Sequence, residues 1–175
     1  MVDMVISGGQ TGADFGGIYA ANCVGIATGG YCAQGWRTEA GFSPWLAEYG
    51  LVEADKPGYP YRTRLNIEQS DGTLLLVTEP DSSGSKLTRE LCSCDAGLGG
   101  LDRYGYPAGK PLFQIEWDDF GKPTNPRYTN EYLQAWVRRW LVTNRIAVLN
   151  VAGNRKSVSP NIEEWTVEFL TGVFL

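Results

Sequence analysis

The chain has 175 residues, 43% of them hydrophobic and 20% charged, with a formal net charge of −5 and no histidine at all. That length suits one domain, residues 1–175, and the acidic balance argues against a nucleic-acid polymer as partner, since binding phosphates along a duplex needs a basic surface. Without histidine there is no Ser-His or Cys-His nucleophile pair and little chance of a zinc site, and no run of roughly 18 apolar residues is present to enter a membrane.

Taken in chain order, residues 2–7 (VDMVIS) are a short apolar run ending in glycines, which predicts a buried strand. Residues 11–23 carry Phe15, Ile18, Tyr19, Asn22 and Cys23 at spacings of three and four, which predicts a helix with one apolar side. Val24 to Ala27 reads as a second short strand. Residues 28–59 are rich in Gly, Pro and aromatics with little periodicity and read as a long irregular loop. Its Trp36, Phe42, Trp45 and Tyr49 argue against disorder. Residues 61–69 (YRTRLNIEQ) predict a short helix, and 71–78 (DGTLLLVT) give the clearest strand, apolar enough for burial on both faces.

In the second half, residues 85–97 place Leu87, Leu91 and Cys94 on one side of a helix, stopped by Gly97, Gly99 and Gly100. Residues 111–116 (PLFQIE) are a fourth strand. Residues 129–143 are the strongest helix, with Leu133, Trp136, Val137, Trp140 and Leu141 on the buried spacing. Residues 146–151 are a fifth strand, and a last helix begins near Pro160 and buries Ile162, Trp165, Phe169 and Leu170. Strand alternating with helix predicts an α/β three-layer sandwich around a mainly parallel sheet of about five strands with right-handed crossovers. All strand C-termini then share one edge, where ligands bind in open α/β sheets.

The segments that leave the strands are chemically suggestive. Gly8-Gly9-Gln10-Thr11-Gly12-Ala13-Asp14 comes after the first, and Thr28-Gly29-Gly30 with the loop through Arg37 after the second. Asp81-Ser82-Ser83-Gly84-Ser85-Lys86 comes after the third, and Ala152-Gly153-Asn154-Arg155-Lys156-Ser157 after the fifth. Glycines let backbone N–H groups approach an anion, and helix N-termini add positive dipole, so phosphate, oxyanions such as molybdate and carboxylates all suit these turns. Each turn alone reads equally as plain connection, with Thr11 as a helix N-cap. Among the cations, Arg37 and Arg155 lie in these turns, whereas Arg62 and Arg64 lie two apart on a helix, so at most one faces the site. Asp14, Glu39, Asp81 and Glu90 fall near the same edge and could serve acid–base or Mg²⁺ chemistry. Glu39 is equally well placed to pair with Arg37, and Asp14 to stabilise its own helix. The four cysteines, Cys23, Cys32, Cys92 and Cys94, read as thiols of a reducing cytoplasm, with the 92–94 pair a poor metal half-site.

In order along the chain, "ISGGQTGAD", "GGYCAQGWRTEAG", "YRTRLNIEQSDGTLLL", "GSKLTRE" and "VLNVAGNRKS" resemble the molybdenum carrier family, from Val5 to about Gly172. That family is similar to a wider Rossmann-like group that includes molybdenum-cofactor carriers and lysine-decarboxylase-like nucleotide phosphoribohydrolases. The resemblance implies a Rossmann-like fold and a site for molybdenum cofactor (molybdopterin) or another phosphorylated, nucleotide-like ligand. By position it implies ligand contacts from Gly8, Gly9, Gln10, Thr11 and Gly12, from Arg37, Glu39 and Arg62, from Ser83, Gly84, Ser85 and Thr88, and from Gly153, Arg155 and Ser157. The phosphoribohydrolases carry "PGGxGTxxE" in the third turn. Here Glu90 remains but the double glycine is gone, so a carrier is expected ahead of an enzyme using Glu90 or Glu39, and an interaction module with a vestigial pocket comes third. No resident metal is expected. A homo-oligomer is, through an aromatic face built from the long loop or the 98–109 insertion, given six tryptophans.

Overall fold

The computed structural model describes residues 2–93 and 109–175. Cys94, the helix stop at Gly97 and all of the 98–109 insertion except Gly109 lie outside the described residues. Six parallel strands form the main sheet: β1 (Met4–Ile6), β2 (Ala27–Cys32), β5 (Leu51–Glu53), β6 (Gly72–Val77), β7 (Leu112–Glu116) and β8 (Val148–Gly153). A separate two-stranded ribbon pairs β3 (Arg37–Thr38) with β4 (Gly41–Phe42). The helices are α1 (Ala13–Cys23), α2 (Tyr59–Gln69), α3 (Ser83–Cys92), α4 (Asn130–Thr143) and α5 (Ile162–Phe174). Helices α1, α4 and α5 pack on one another as one layer, and α2 and α3 pack together as another, which completes the expected three-layer sandwich.

The sheet order is β5-β2-β1-β8-β6-β7, so the last strand in sequence lies in the middle. If β8 and α5 were placed ahead of β1, the six strands would read 4-3-2-1-5-6, a doubly wound order that runs outward both ways from one central strand. The switch point is therefore at β8 and β6, with β1 alongside. The apolar run of β6 is buried along its whole length, because strands flank it on both edges and helices cover both faces.

Five readings of the sequence need correction. The buried side of α1 is not the one expected: Tyr19, Asn22 and Cys23 are exposed, and Gly16, Gly17, Ile18, Ala20 and Ala21 are buried. Val24 and Gly25 finish α1 rather than starting a strand, and Gly25 has φ 78° there. The second strand instead runs through Thr28, Gly29 and Gly30, which therefore are not a post-strand turn. Parallel pairing to β1 and β5 overrides their weak strand propensity, and a Cβ at Gly30 would lie 2.3 Å from the Ser7 carbonyl oxygen. The supposed irregular loop holds the ribbon, a 3-10 helix (Pro44–Tyr49) and β5, which is why the sheet has six strands. Finally, Trp136 is 44% exposed: α4 buries Leu133, Val137 and Leu141, and the broad indole lies at the rim of that stripe.

Candidate functional site

The C-terminal ends of the central strands open onto a cleft of about 410 Å³. Four segments line it: Gln10 and Asp14 after β1; Tyr59, Pro60, Arg62 and Thr63 on the first turns of α2; Ser82, Ser83, Gly84 and Leu87 at the start of α3; and Gly153, Asn154, Arg155 and Val158 after β8. This is the edge and the switch point at which open α/β sheets take ligands. The volume lies within the ordinary range for small-molecule sites.

The turn after β1 is internally bonded. The Gly9 amide donates to Ser7 Oγ at 3.1 Å, Gln10 N to Asp14 Oδ2 at 3.4 Å and Thr11 N to Gln10 Oε1 at 3.0 Å. Gly12 N donates to Glu163 Oε2 at 3.0 Å, and Ala13 N to the Asn154 carbonyl at 3.0 Å. Gly12 caps α1 with φ 89° and ψ −136°, a conformation open in practice to glycine alone, and a Cβ there would lie 2.4 Å from the Asn154 oxygen. Thr11 does not cap the helix, because its hydroxyl points away to Glu39.

Behind this turn, Arg62 Nη1 donates to Asp14 Oδ2 at 3.0 Å, with side-chain exposures of 12% and 6%. The guanidinium lies against Gly8, where even a Cβ would collide with it, and over the Tyr59 ring at 5.9 Å. Burial pushes the Asp14 carboxyl above the usual carboxylate range, against the opposing pull of Arg62 and the Gln10 amide. Arg62 Nε is buried and has no hydrogen-bond partner.

The turn after β6 differs. Ser82 caps α3, its hydroxyl accepting from Ser85 N at 3.3 Å, so the amides of Ser83 and Gly84, two residues that line the cleft, are left without intrahelical acceptors. Nothing lies within 4 Å of a Cβ built on Gly84. The turn is positioned by Asn154. Its Oδ1 accepts from Thr78 N and Glu79 N, both at 2.8 Å, and its Nδ2 donates to the Glu79 carbonyl at 3.2 Å, to Ser82 Oγ at 3.1 Å and to Ser85 Oγ at 3.4 Å.

Glu39, beside the ribbon, reaches across to the same edge. Its carboxylate accepts from the Thr11 hydroxyl, from Ser157 N at 3.0 Å and from the Ser157 hydroxyl, and lies 3.4 Å from Arg155 Nε. Its backbone amide donates to Gln10 Oε1 at 2.9 Å. Burial works against this charge, but the Ser157 and Thr11 bonds, with Arg155 nearby, outweigh it and hold the carboxyl below its usual range. Glu39 thus pairs with Arg155, not with Arg37.

Of the residues expected from the sequence, Gln10, Arg62, Ser83, Gly84, Gly153 and Arg155 line the cleft together. Gly8, Gly9, Gly12, Ser85 and Thr88 are buried around it, Thr88 donating to the Gly84 carbonyl at 3.0 Å. Thr11, Glu39 and Ser157 form the adjoining cluster. Arg37 and Glu90 are exposed and line no part of the cleft, and neither Trp36 nor Tyr31 enters it. The sequence underrates two residues. Asp14 reads there mainly as a helix-turn acid, and Asn154 as one amide in a polar turn. Tyr59 carries no signal, because the local pattern starts α2 two residues late.

Fold and cleft together define a Rossmann-like α/β protein with a polar cleft at the switch point of its sheet. The chain belongs to the circularly permutated YpsA SLOG family, whose sequence profile matches residues 5–97 and 108–174. The chain is also similar to a solved structure described as "Putative molybdenum carrier protein" from Syntrophus aciditrophicus SB. That likeness is 30% identical in sequence, covers 99% of this chain and 96% of the other, and has a TM-score of 0.81. No curated protein matches the chain.

Proposed function

We propose that this protein is a carrier that binds a phosphate-bearing, nucleotide-like small molecule in the cleft, with molybdenum cofactor as the leading cargo. One observation carries the reading. Segments distant in sequence converge on one cleft and offer it two guanidinium groups, from Arg62 and Arg155, and the unclaimed amides of Ser83 and Gly84. The site fits such a cargo. The amides and Arg155 suit a phosphate, and Tyr59, Leu87 and Val158 give a flat, partly apolar wall for a fused ring system. The name of the Syntrophus protein points the same way. When carried, the cofactor would bring its own metal chemistry, and this chain's residues hold and orient its organic part.

Titration calorimetry with molybdopterin, molybdate and nucleoside monophosphates tests this. Micromolar binding of a phosphorylated ligand, weakened at least tenfold in Arg62→Ala and in Arg155→Ala, is expected for a built anion site. Heats indistinguishable from buffer for every ligand reject it. A phosphoribohydrolase is the second reading. The acid that lines the cleft is Asp14, whose raised pKa suits proton transfer, rather than Glu39 or Glu90. Free base released from a nucleoside monophosphate, and lost in Asp14→Asn, would favour it. With Trp36 and Tyr31 outside the cleft, nothing specific favours a vestigial pocket.

The proposed setting is the cytoplasm, without membrane attachment. Among the described residues no helix is long and apolar enough to cross a membrane. A homo-oligomer is proposed through the face where the rings of Tyr128, Tyr132 and Trp136 cluster with centroids 5.3–5.7 Å apart, and light scattering tests it.

A further inference from the structure

We propose that Thr11, Ser157 and Arg155 form a second oxyanion subsite beside the cleft, filled in this structure by the chain's own Glu39 carboxylate. The ligand class is then a small molecule with two anionic groups, one at the Ser83–Gly84 amides and one at this subsite. The inference rests on the reading of the cleft as a site for a phosphorylated ligand.

The donor set carries the argument. The Glu39 carboxylate receives a backbone amide, two hydroxyls and a guanidinium nitrogen, from two segments 146 positions apart in sequence, as the numbers Thr11 and Ser157 show. Convergent donors of these kinds are how proteins hold phosphate and other tetrahedral oxyanions. Arg155 belongs to both places: it lines the cleft and it faces Glu39. The subsite and the cleft thus adjoin at Arg155.

What fills the subsite is on a displaceable element. Glu39 comes directly after β3 in a two-stranded ribbon that pairs with no strand of the main sheet, and such a ribbon is marginal by itself. Gly41 in its turn has φ 105°, and Phe42 is 72% exposed. The tip of this ribbon is tied to the sheet edge by the Glu39 amide, bonded to Gln10 Oε1, and by the Glu39 carboxylate. A tethered carboxylate competes at an effective concentration on the order of millimolar, so the ligand's second anion must displace it, and the ribbon moves when it does.

Calorimetry with inorganic phosphate, and separately with molybdate, on the full chain tests the subsite. Glu39→Ala is expected to bind phosphate about tenfold more tightly than the parent, and Glu39→Gln, which keeps the shape without the charge, to fall between. Adding the neutral change Thr11→Val to Glu39→Ala should cancel the gain, which a mere change in net charge would not do. Unchanged phosphate affinity in Glu39→Gln and Glu39→Ala, with native circular dichroism, overturns the proposal. The two readings fail separately. If Arg62→Ala loses phosphorylated ligand while Glu39→Ala gains nothing, the subsite falls and the cleft stands. If the parent binds no phosphorylated ligand while Glu39→Ala captures phosphate, the reverse holds.

Discussion

The turns after β1 and β6 look alike as sequence and behave oppositely as structure. Both leave an inner strand of the sheet, both are rich in glycine and hydroxyls, and both open a helix. After β1, five successive amides from Gly9 to Ala13 are already bonded to protein oxygens. After β6, Ser83 and Gly84 line the cleft and their amides have no acceptor within the helix. A glycine-rich turn is thus an anion site only where its donors are uncommitted. The first turn is a fixed frame, and the second keeps its donors uncommitted at the proposed site.

The sharpest way to break that contrast is to put a methyl group on each turn. Gly12→Ala forces a left-handed residue into the Asn154 backbone and should cost about 4 kcal/mol in denaturant unfolding. Asp14→Ala leaves Arg62 buried without its partner, and an unfolding loss of about 3 kcal/mol is expected. Asp14→Asn should cost much less, because burial already disfavours the charge. The folded Asp14 holds its proton more tightly than the ordinary value of 3.8 implies. Its contribution is therefore greatest at acid pH and is lost as pH rises through the raised value.

Asn154→Ala orphans the Thr78 and Glu79 amides and should cost about 2 kcal/mol. It should also weaken phosphorylated ligands, since α3 loses its tether. Gly84→Ala enters open space at a helix start, so stability should move by no more than about 0.5 kcal/mol while ligand affinity falls several-fold. A Gly84→Ala protein that unfolds early but binds normally would invert the assignment of roles. A further effect falls on the ribbon and appears only at acid pH. The folded pKa of Glu39 is depressed, so its contacts are complete above the ordinary 4.5 and fail as pH falls through the lower folded value. Loss of about 1 kcal/mol is expected there, and the Ser157 amide resonance should report it.

Much of the fold was legible because its signals are local. The run Thr73 to Val77 is a buried strand wherever it sits, and Leu133, Val137 and Leu141 mark one helical face. Strand β2 was not, because Gly29 and Gly30 have no strand preference of their own, and pairing to β1 and β5 keeps them in the sheet even with Gly30 at φ 119°. In the site, the edge of the sheet and residues such as Arg62, Gly84 and Arg155 came from topology and resemblance. The role of Asn154 did not, since its partners lie 69 to 76 residues away and nothing in the turn itself announces them. The bonded state of the β1 turn was equally hidden, because Glu163 and Asn154 come to it from the far end of the chain.

The position of β8 has a consequence for how the molecule is made. Met4 pairs with Val148 and Gly72 with Leu149, so β1 and β6 face an empty lane until synthesis has passed nearly the whole chain. Contacts of such span close slowly, and until then two bare strand borders invite wrong partners. The middle of the sheet arrives last, bringing Gly153, Asn154 and Arg155 with it, so the cleft is incomplete until the final strand has slotted home. Any molecule that binds the finished cleft would act as a clasp on that insertion, since whatever binds only the folded chain stabilises it.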